Sequence, residues 1–198
     1  YLLLLGDETI VPPIYNNSTP SDDYYTSPGN LAANPQLSTG RITVNNIDDA
    51  YNVFEKIDNY INNLNNPISN DQSWRINIGL ISDDENNPNP IRYPELSHSE
   101  NSNQLYEQMK ETLVVNTFYG IDYTPIQNSD GLVHTELTSD LLSAINNGVS
   151  LVNYIGHGNH HTLSDEKILV LERDINLINS GDYKLPIWVV GTCSFGQY

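Results

Sequence analysis

The sequence predicts an α/β fold: a mostly parallel β-sheet with helices on both faces. Two observations carry this. Apolar runs of strand length at 74–82, 149–155 and 185–190 end abruptly in polar or glycine-rich turns, and segments with helical three-and-four spacing separate them. Parallel neighbours need a crossover connection, and a helix supplies it. At 198 residues, 38% hydrophobic and 17% charged, the chain is expected to form one domain, 1–198, with a sizeable core.

Residues 1–7 open on Tyr1 and four leucines. A run this apolar predicts a first strand buried on both faces. Residues 11–40 are rich in Pro, Ser, Asn and Tyr, with turn signals at Pro12-Pro13, Ser27-Pro28-Gly29 and Asn34-Pro35, and predict a loop. Between Asp48 and Leu64, Ala50, Val53, Phe54, Ile57, Ile61 and Leu64 fall on one face of a helix. Residues 74–82 predict the second strand, which ends in the acidic cluster Asp83-Asp84-Glu85. Leu105, Met109 and Leu113 mark a helix, Val114 to Tyr119 a strand, and Ser139 to Asn147 a short helix with Ser139 as its cap and Gly148 as its left-handed stop. Residues 149–155 form the next strand and end in Gly156-His157-Gly158. Ile168, Leu171, Ile175 and Ile178 predict a further helix, and the strand Leu185 to Val190 ends in Gly191-Thr192-Cys193-Ser194.

The formal charge of −17, from 25 acidic and 8 basic side chains, opposes association with nucleic acid or anionic membrane surfaces. The 27 asparagines point to long, turn-rich connections. A single cysteine excludes an internal disulfide framework. The opening leucines lack the basic flank and cleavage site of a signal peptide, and no run reaches a membrane span. A first strand that needs neighbours on each side, and a stop five residues after Cys193, before the element expected to follow its strand, suggest a part of a longer protein.

In parallel sheets, functional groups collect beyond the carboxyl ends of the strands. Three reactive groups lie there: the acidic cluster, His157 and Cys193. A thiol attacks a carbonyl as its thiolate, and an imidazole that takes the proton and later returns it to the leaving amine activates it. Cys193 and His157 suit those roles. The amides of Gly158 and Cys193 are candidate oxyanion donors. A carboxylate can orient the imidazole as in a serine triad; Asp84 is the first candidate and Glu85 the second. An isolated cysteine ending an apolar strand is more often a small buried hydrophobe, but the joint pattern strand-Gly-His-Gly, helix, strand-Gly-Thr-Cys-Ser argues for catalysis.

Val149 to Gly158, with Leu185-Pro186-Ile187-Trp188 and the strand before Cys193, resembles the catalytic core of the gingipain family of cysteine peptidases, in the caspase-like clan. Leu5-Gly6-Asp7, Ser21 to Tyr25, Gly40-Arg41-Ile42, and Trp74 leading to Ser82-Asp83-Asp84 extend the likeness across the chain. The resemblance implies a caspase-like fold and a His157–Cys193 dyad supported by Asp84. Thr192 to Gly196 and Leu163 to Glu166 are most similar to the type IX secretion sortase (PorU-like) branch, which removes C-terminal sorting domains from cargo and joins the cargo to surface lipopolysaccharide. This implies protein or peptide substrates, other secretion-system components as partners, and a secreted or outer-membrane cell-surface location. Leu96 aligns where arginine-specific members carry an acid, which argues against strict Arg specificity.

No cofactor is expected to be required. His160 and His161 lack the spacing of a zinc site. Ser21-Asp22-Asp23 and Asp83 to Asn86 offer hard oxygens to a structural calcium, although solvated surface is the expected role of both. The 13 tyrosines are read as loop packing.

Overall fold

The structure is a computed structural model that describes residues 1–16, 19–27, 36–66, 71–84, 97–181 and 183–195. Glu85, Leu96 and Gly196 lie outside the described residues. The chain divides into two compact units, Tyr1–Asp58 and Asn59–Phe195.

In the first unit, β1 (Leu2–Leu5) pairs in parallel with a strand that starts at the end of the segment expected to be loop. That segment also holds the hairpin of β2 (Ile14–Asn16) and β3 (Thr19–Ser21). The partner of β1 is β4 (Thr39–Ile42), in the register Leu2↔Thr39 to Leu5↔Ile42. The first strand is not buried on both faces: Leu4 is buried, whereas Leu3 and Leu5 are exposed. A two-stranded ladder has no second layer to cover its outer face.

Arg41 fastens this unit. Its guanidinium donates to both carboxylate oxygens of Asp22, at 2.8 and 2.5 Å, and to the carbonyls of Gly6 (2.7 Å) and Val11 (2.9 Å). The fork geometry allows four acceptors to be met at once, which a lysine could not do. Asp22 is therefore an ion-pair partner rather than solvated surface. Arg41→Ala is expected to destabilise the protein by about 2–4 kcal/mol in urea unfolding, toward the low end for a broken buried pair because Asp22 retains some water access; a change under about 0.5 kcal/mol would mean that the clamp is incidental.

α1 (Ile47–Asn65) matches the predicted helix, but Phe54, Ile57, Ile61 and Leu64 on its apolar stripe remain exposed.

The second unit is organised on a four-stranded, all-parallel sheet in the order β12-β9-β5-β6: β5 (Asn77–Ser82), β6 (Val114–Tyr119), β9 (Leu151–Ile155) and β12 (Ile187–Gly191). Alternation along the strands sends side chains to opposite faces. Ile78, Leu80 and Tyr119 meet Leu105, Tyr106 and Met109 of α2 (Ser97–Met109). Ile81, Phe118, Val152 and Tyr154 meet Leu137, Leu141 and Ile145 of α3 (Thr135–Asn147). The central strand β5 is buried from Ile78 through Ser82, as an inner parallel strand covered on both faces should be. This is the α/β architecture the sequence predicts.

Several local expectations are corrected. α3 begins one turn before Ser139, at Thr135, because burying Leu137 and Thr138 extends the helix toward its N-terminus. Gly148 has φ 111° and ψ 117°, a positive-φ stop but not a left-handed helical one. Its amide still closes on the carbonyls of Ala144 and Ile145. The helix expected over 168–178 is a hairpin arm followed by two short turns. β10 (Thr162–Leu163) pairs with β11 (Leu169–Val170), then come α4 (Leu171–Asp174) and a 3-10 turn, Ile175–Leu177. Ile168 alone of the four periodic residues is fully buried, so no continuous helical face is covered. A further hairpin, β7 (Ile126–Asn128) with β8 (Gly131–Val133), precedes α3.

Candidate active site

The sheet register sets the level of the site. Ser82 of β5 pairs with Ile155 of β9, and Ile155 pairs with Gly191 of β12. Asp84, His157 and Cys193 each lie two residues beyond these mutually paired positions. Three adjacent parallel strands, about 4.8 Å apart, thus release the three groups at one level of the sheet. Two hydrogen bonds continue the ladder past the strand ends: Asp83 N–H to Ile155 O at 3.0 Å and Gly156 N–H to Gly191 O at 3.2 Å.

The loop carrying His157 is held from below. Asp83 Oδ2 accepts the His157 amide at 2.8 Å, and its Oδ1 accepts the Asp84 amide at 3.0 Å. Tyr154 Oη donates to the His157 carbonyl at 2.5 Å. The fit permits only glycine at 156, where a Cβ would lie 2.4 Å from Asp83 Cβ and 2.6 Å from Tyr154 Oη. Beyond His157, Asn159 Oδ1 accepts the amides of His161 (2.8 Å) and Thr162 (3.0 Å), turning the chain back into β10. The His157 imidazole meets the His98 ring edge to face, with centroids 5.4 Å apart.

Cys193 is exposed and is followed by Ser194 at φ 54°, a conformation sparsely used by non-glycine residues that turns the chain sharply after the thiol. Gly158 and Leu163 face each other across an antiparallel bridge. Its bonds are made by the neighbours, Ser164 N–H to His157 O and Asn159 N–H to Thr162 O, both 2.9 Å. Among the described residues, neither the Gly158 nor the Cys193 amide donates to another protein group. A Cβ at Gly158 would come within 2.9 Å of Thr192 Oγ1, so the loop after β9 passes close to the residue before Cys193.

Around the end of β5 lies a buried acidic group, two of whose members, Asp83 and Asp84, belong to the stretch expected to be solvated surface. Asp83, Asp84 and Glu166 are 2%, 7% and 8% exposed. Burial pushes the carboxyl of Asp83 above its ordinary range, opposed by the Ser164 hydroxyl and the His157 amide. Burial likewise raises that of Glu166, again against the Ser164 hydroxyl. His134 stands beside them, with Nε2 3.7 Å from Asp84 Oδ2. Sequence reasoning missed His134, Glu166 and the bonding of Asp83. No motif marks a histidine at the first turn of a helix, and only the fold brings it to the acids.

The two histidines that follow His157, His160 and His161, are surface groups. His161 Nδ1 pairs with Glu172 at 2.7 Å, and the His160 and His161 rings lie 4.4 Å apart. They border an apolar pocket of about 310 Å³, whose walls include Leu163, Leu171, Ile175, Trp188 and Phe195. Its lining suits an apolar side chain. No helix among the described residues is long and apolar enough to cross a membrane.

A parallel α/β sheet with a cysteine and a histidine at neighbouring strand ends is the arrangement of a cysteine peptidase of the caspase-like type. The chain belongs to peptidase family C25, whose family model matches residues 1–198. The fold is similar to the crystal structure of the Arg-specific cysteine proteinase gingipain R, with a TM-score of 0.71 at 20% identity over 96% of this chain and 40% of that one. It is similar also to the Porphyromonas gingivalis RgpB chain in the complex of pro- and mature domains, with a TM-score of 0.70 at 18% identity over 95% of this chain and 40% of that one. An uncharacterized protein of Archaeoglobus fulgidus is 25% identical over 211 residues, which covers 100% of this chain and 48% of that protein. The chain thus spans about half the length of that relative.

Proposed function

We propose that the protein is a cysteine-type endopeptidase in which Cys193 is the nucleophile, His157 its proton-transfer partner and Asp84 the supporting acid, with residues 1–198 serving as one catalytic domain. The observation that supports this most is the register: the three groups stand two residues beyond a row of mutually paired strand positions.

His157 takes the proton of the Cys193 thiol, and the thiolate attacks the scissile carbonyl carbon. The carbonyl oxygen, now negative, is received by the Gly158 and Cys193 amides, which donate to no other protein group among the described residues. Collapse of the tetrahedral intermediate breaks the C–N bond, and His157 returns the proton to the departing amine. The resulting thioester is released by water, giving proteolysis, or by an amine, giving transpeptidation. We take the sortase-like outcome, on cargo carrying C-terminal sorting domains at the bacterial cell surface, as the reading that the motifs around Cys193 and Leu163 favour. Calcium, if the protein uses it, would serve the fold and take no part in these steps.

Iodoacetamide labelling of Cys193 between pH 5 and 9, with His157→Ala in parallel, tests the dyad. At pH 6 the parent is expected to label at least tenfold faster than a free thiol with a pKa of about 8.5, and the variant to lose that advantage. Equal, slow labelling in both proteins would make Cys193 structural and the protein a non-catalytic module of the same fold. Added amine acceptor then separates a sortase, which forms the adduct, from a secreted endopeptidase, which yields only hydrolysis.

A further inference from the structure

Asp84, His134 and Glu166 each offer a ligand atom, and these atoms lie within 4.8 Å of one another. All three side chains are buried. His134 is 1% exposed, and neither of its ring nitrogens has a hydrogen-bond partner. A buried polar group without a partner costs stability, and an imidazole has two such groups.

We propose that Asp84, His134 and Glu166 bind a divalent first-row metal ion, with Zn²⁺ as the best match. A ligand set of one imidazole nitrogen and two carboxylate oxygens is a zinc-type set, whereas Ca²⁺ and Mg²⁺ take oxygen almost throughout. The spacing fits: bonds of ~2.0–2.2 Å in a tetrahedron place donors about 3.4 Å apart, and His134 Nε2 already stands 3.7 Å from Asp84 Oδ2. Small side-chain rotations bring the rest into range. The supports that usually orient metal ligands are present as well. The Ser164 hydroxyl donates to Glu166 Oε2 at 2.8 Å, and the His134 amide donates to the Glu166 carbonyl at 2.8 Å.

The ion joins three segments that meet nowhere in sequence: the end of β5, the start of α3 and the turn after β10. Its role is to neutralise the buried acids and fix these segments. The inference does not depend on the peptidase reading, and its test is made without activity.

The test is Zn²⁺ binding by equilibrium dialysis and calorimetry on the protein carrying Cys193→Ala, which removes the competing thiol. On that background, His134→Ala and Glu166→Gln are compared. The parent is expected to bind one Zn²⁺ through this site, to bind it in the presence of excess Ca²⁺, and to melt at a higher temperature with Zn²⁺ than with chelator. Both variants should bind on the order of 100-fold more weakly or worse, as for loss of a metal ligand or its support. Glu166→Gln keeps the shape of the site and is the deciding variant should His134→Ala fail to fold. Undiminished binding in both variants would locate the ion elsewhere, with His160, His161 and Glu172 the alternative, and would overturn the proposal. No binding by the parent would overturn it too.

Discussion

Cys193→Ala is expected to lower kcat by on the order of 10⁴-fold or more, as removal of a catalytic nucleophile does in other acyl-transfer enzymes. No other group at the sheet edge can form the thioester, since Cys193 is the only cysteine. What survives is the rate given by the Gly158 and Cys193 amides and by substrate binding, which the variant retains. The same substitution should leave folding almost untouched, within about 0.5 kcal/mol in urea unfolding, because the side chain is exposed. His157→Ala should cost nearly as much activity, and the double variant little more, because the two act as one unit. Peptide hydrolysis with a fluorogenic substrate, alongside unfolding of the same preparations, gives both numbers. A Cys193→Ala protein that retained more than about a tenth of parental kcat would remove the thioester from the reaction. A double variant whose loss equalled the product of the single losses would mean that the two side chains act separately.

The sheet was legible because its strands are apolar runs that stop at polar or glycine signals. β6 falls on Val114–Tyr119 as expected, and β5, β9 and β12 within one to three residues of their expected bounds. Those strands are buried, so tertiary packing and local pattern demand the same thing. The hairpins were not legible. β2, β3, β7, β8, β10 and β11 are two or three residues long, too short for any period to register, and several are built of Asn, Gln, Thr and Ser. Periodicity at Ile168, Leu171, Ile175 and Ile178 suggested a helix because spacing alone cannot reveal which residues are covered, and Leu171 and Ile175 are exposed. The candidate dyad could be found because His157 and Cys193 follow strands that the sequence marks clearly. His134 and Glu166 could not, because 50 and 82 residues separate them from Asp84 and nothing in the sequence signals that the three meet. Asp83 is an intermediate case. It stood out as an acid at a strand end, but its role depends on which way each of two adjacent carboxylates turns.

Asp83→Ala is the second substitution expected to act strongly, and it does so without touching the reacting atoms. Its two oxygens accept the amides of His157 and Asp84, at 2.8 and 3.0 Å, so one side chain sets the backbone of the candidate base and of its supporting acid together. Truncation leaves both amides without these acceptors in a place where Asp83 itself is 2% exposed, at a cost of about 1–3 kcal/mol for each amide that water cannot reach. The gain from removing a buried carboxylate, whose proton affinity burial raises, offsets part of this. Stability should therefore fall modestly, while displacement of His157 by even about 1 Å lowers kcat on the order of 100-fold. Asp83→Asn separates the two effects. It keeps the volume and one acceptor, but turns an amide NH2 toward one of the two backbone N–H groups, so stability should recover more than kcat does. Gly156→Ala probes the same strap from the other side, because its Cβ would press on Asp83 Cβ and Tyr154 Oη, and it should reproduce the loss of kcat with the carboxylate still in place. Unfolding in urea and steady-state hydrolysis on the three variants decide the matter. If Asp83→Ala keeps kcat within about threefold of the parent, His157 is positioned by its other contacts, and the Asp83 strap beneath it is only part of the fold.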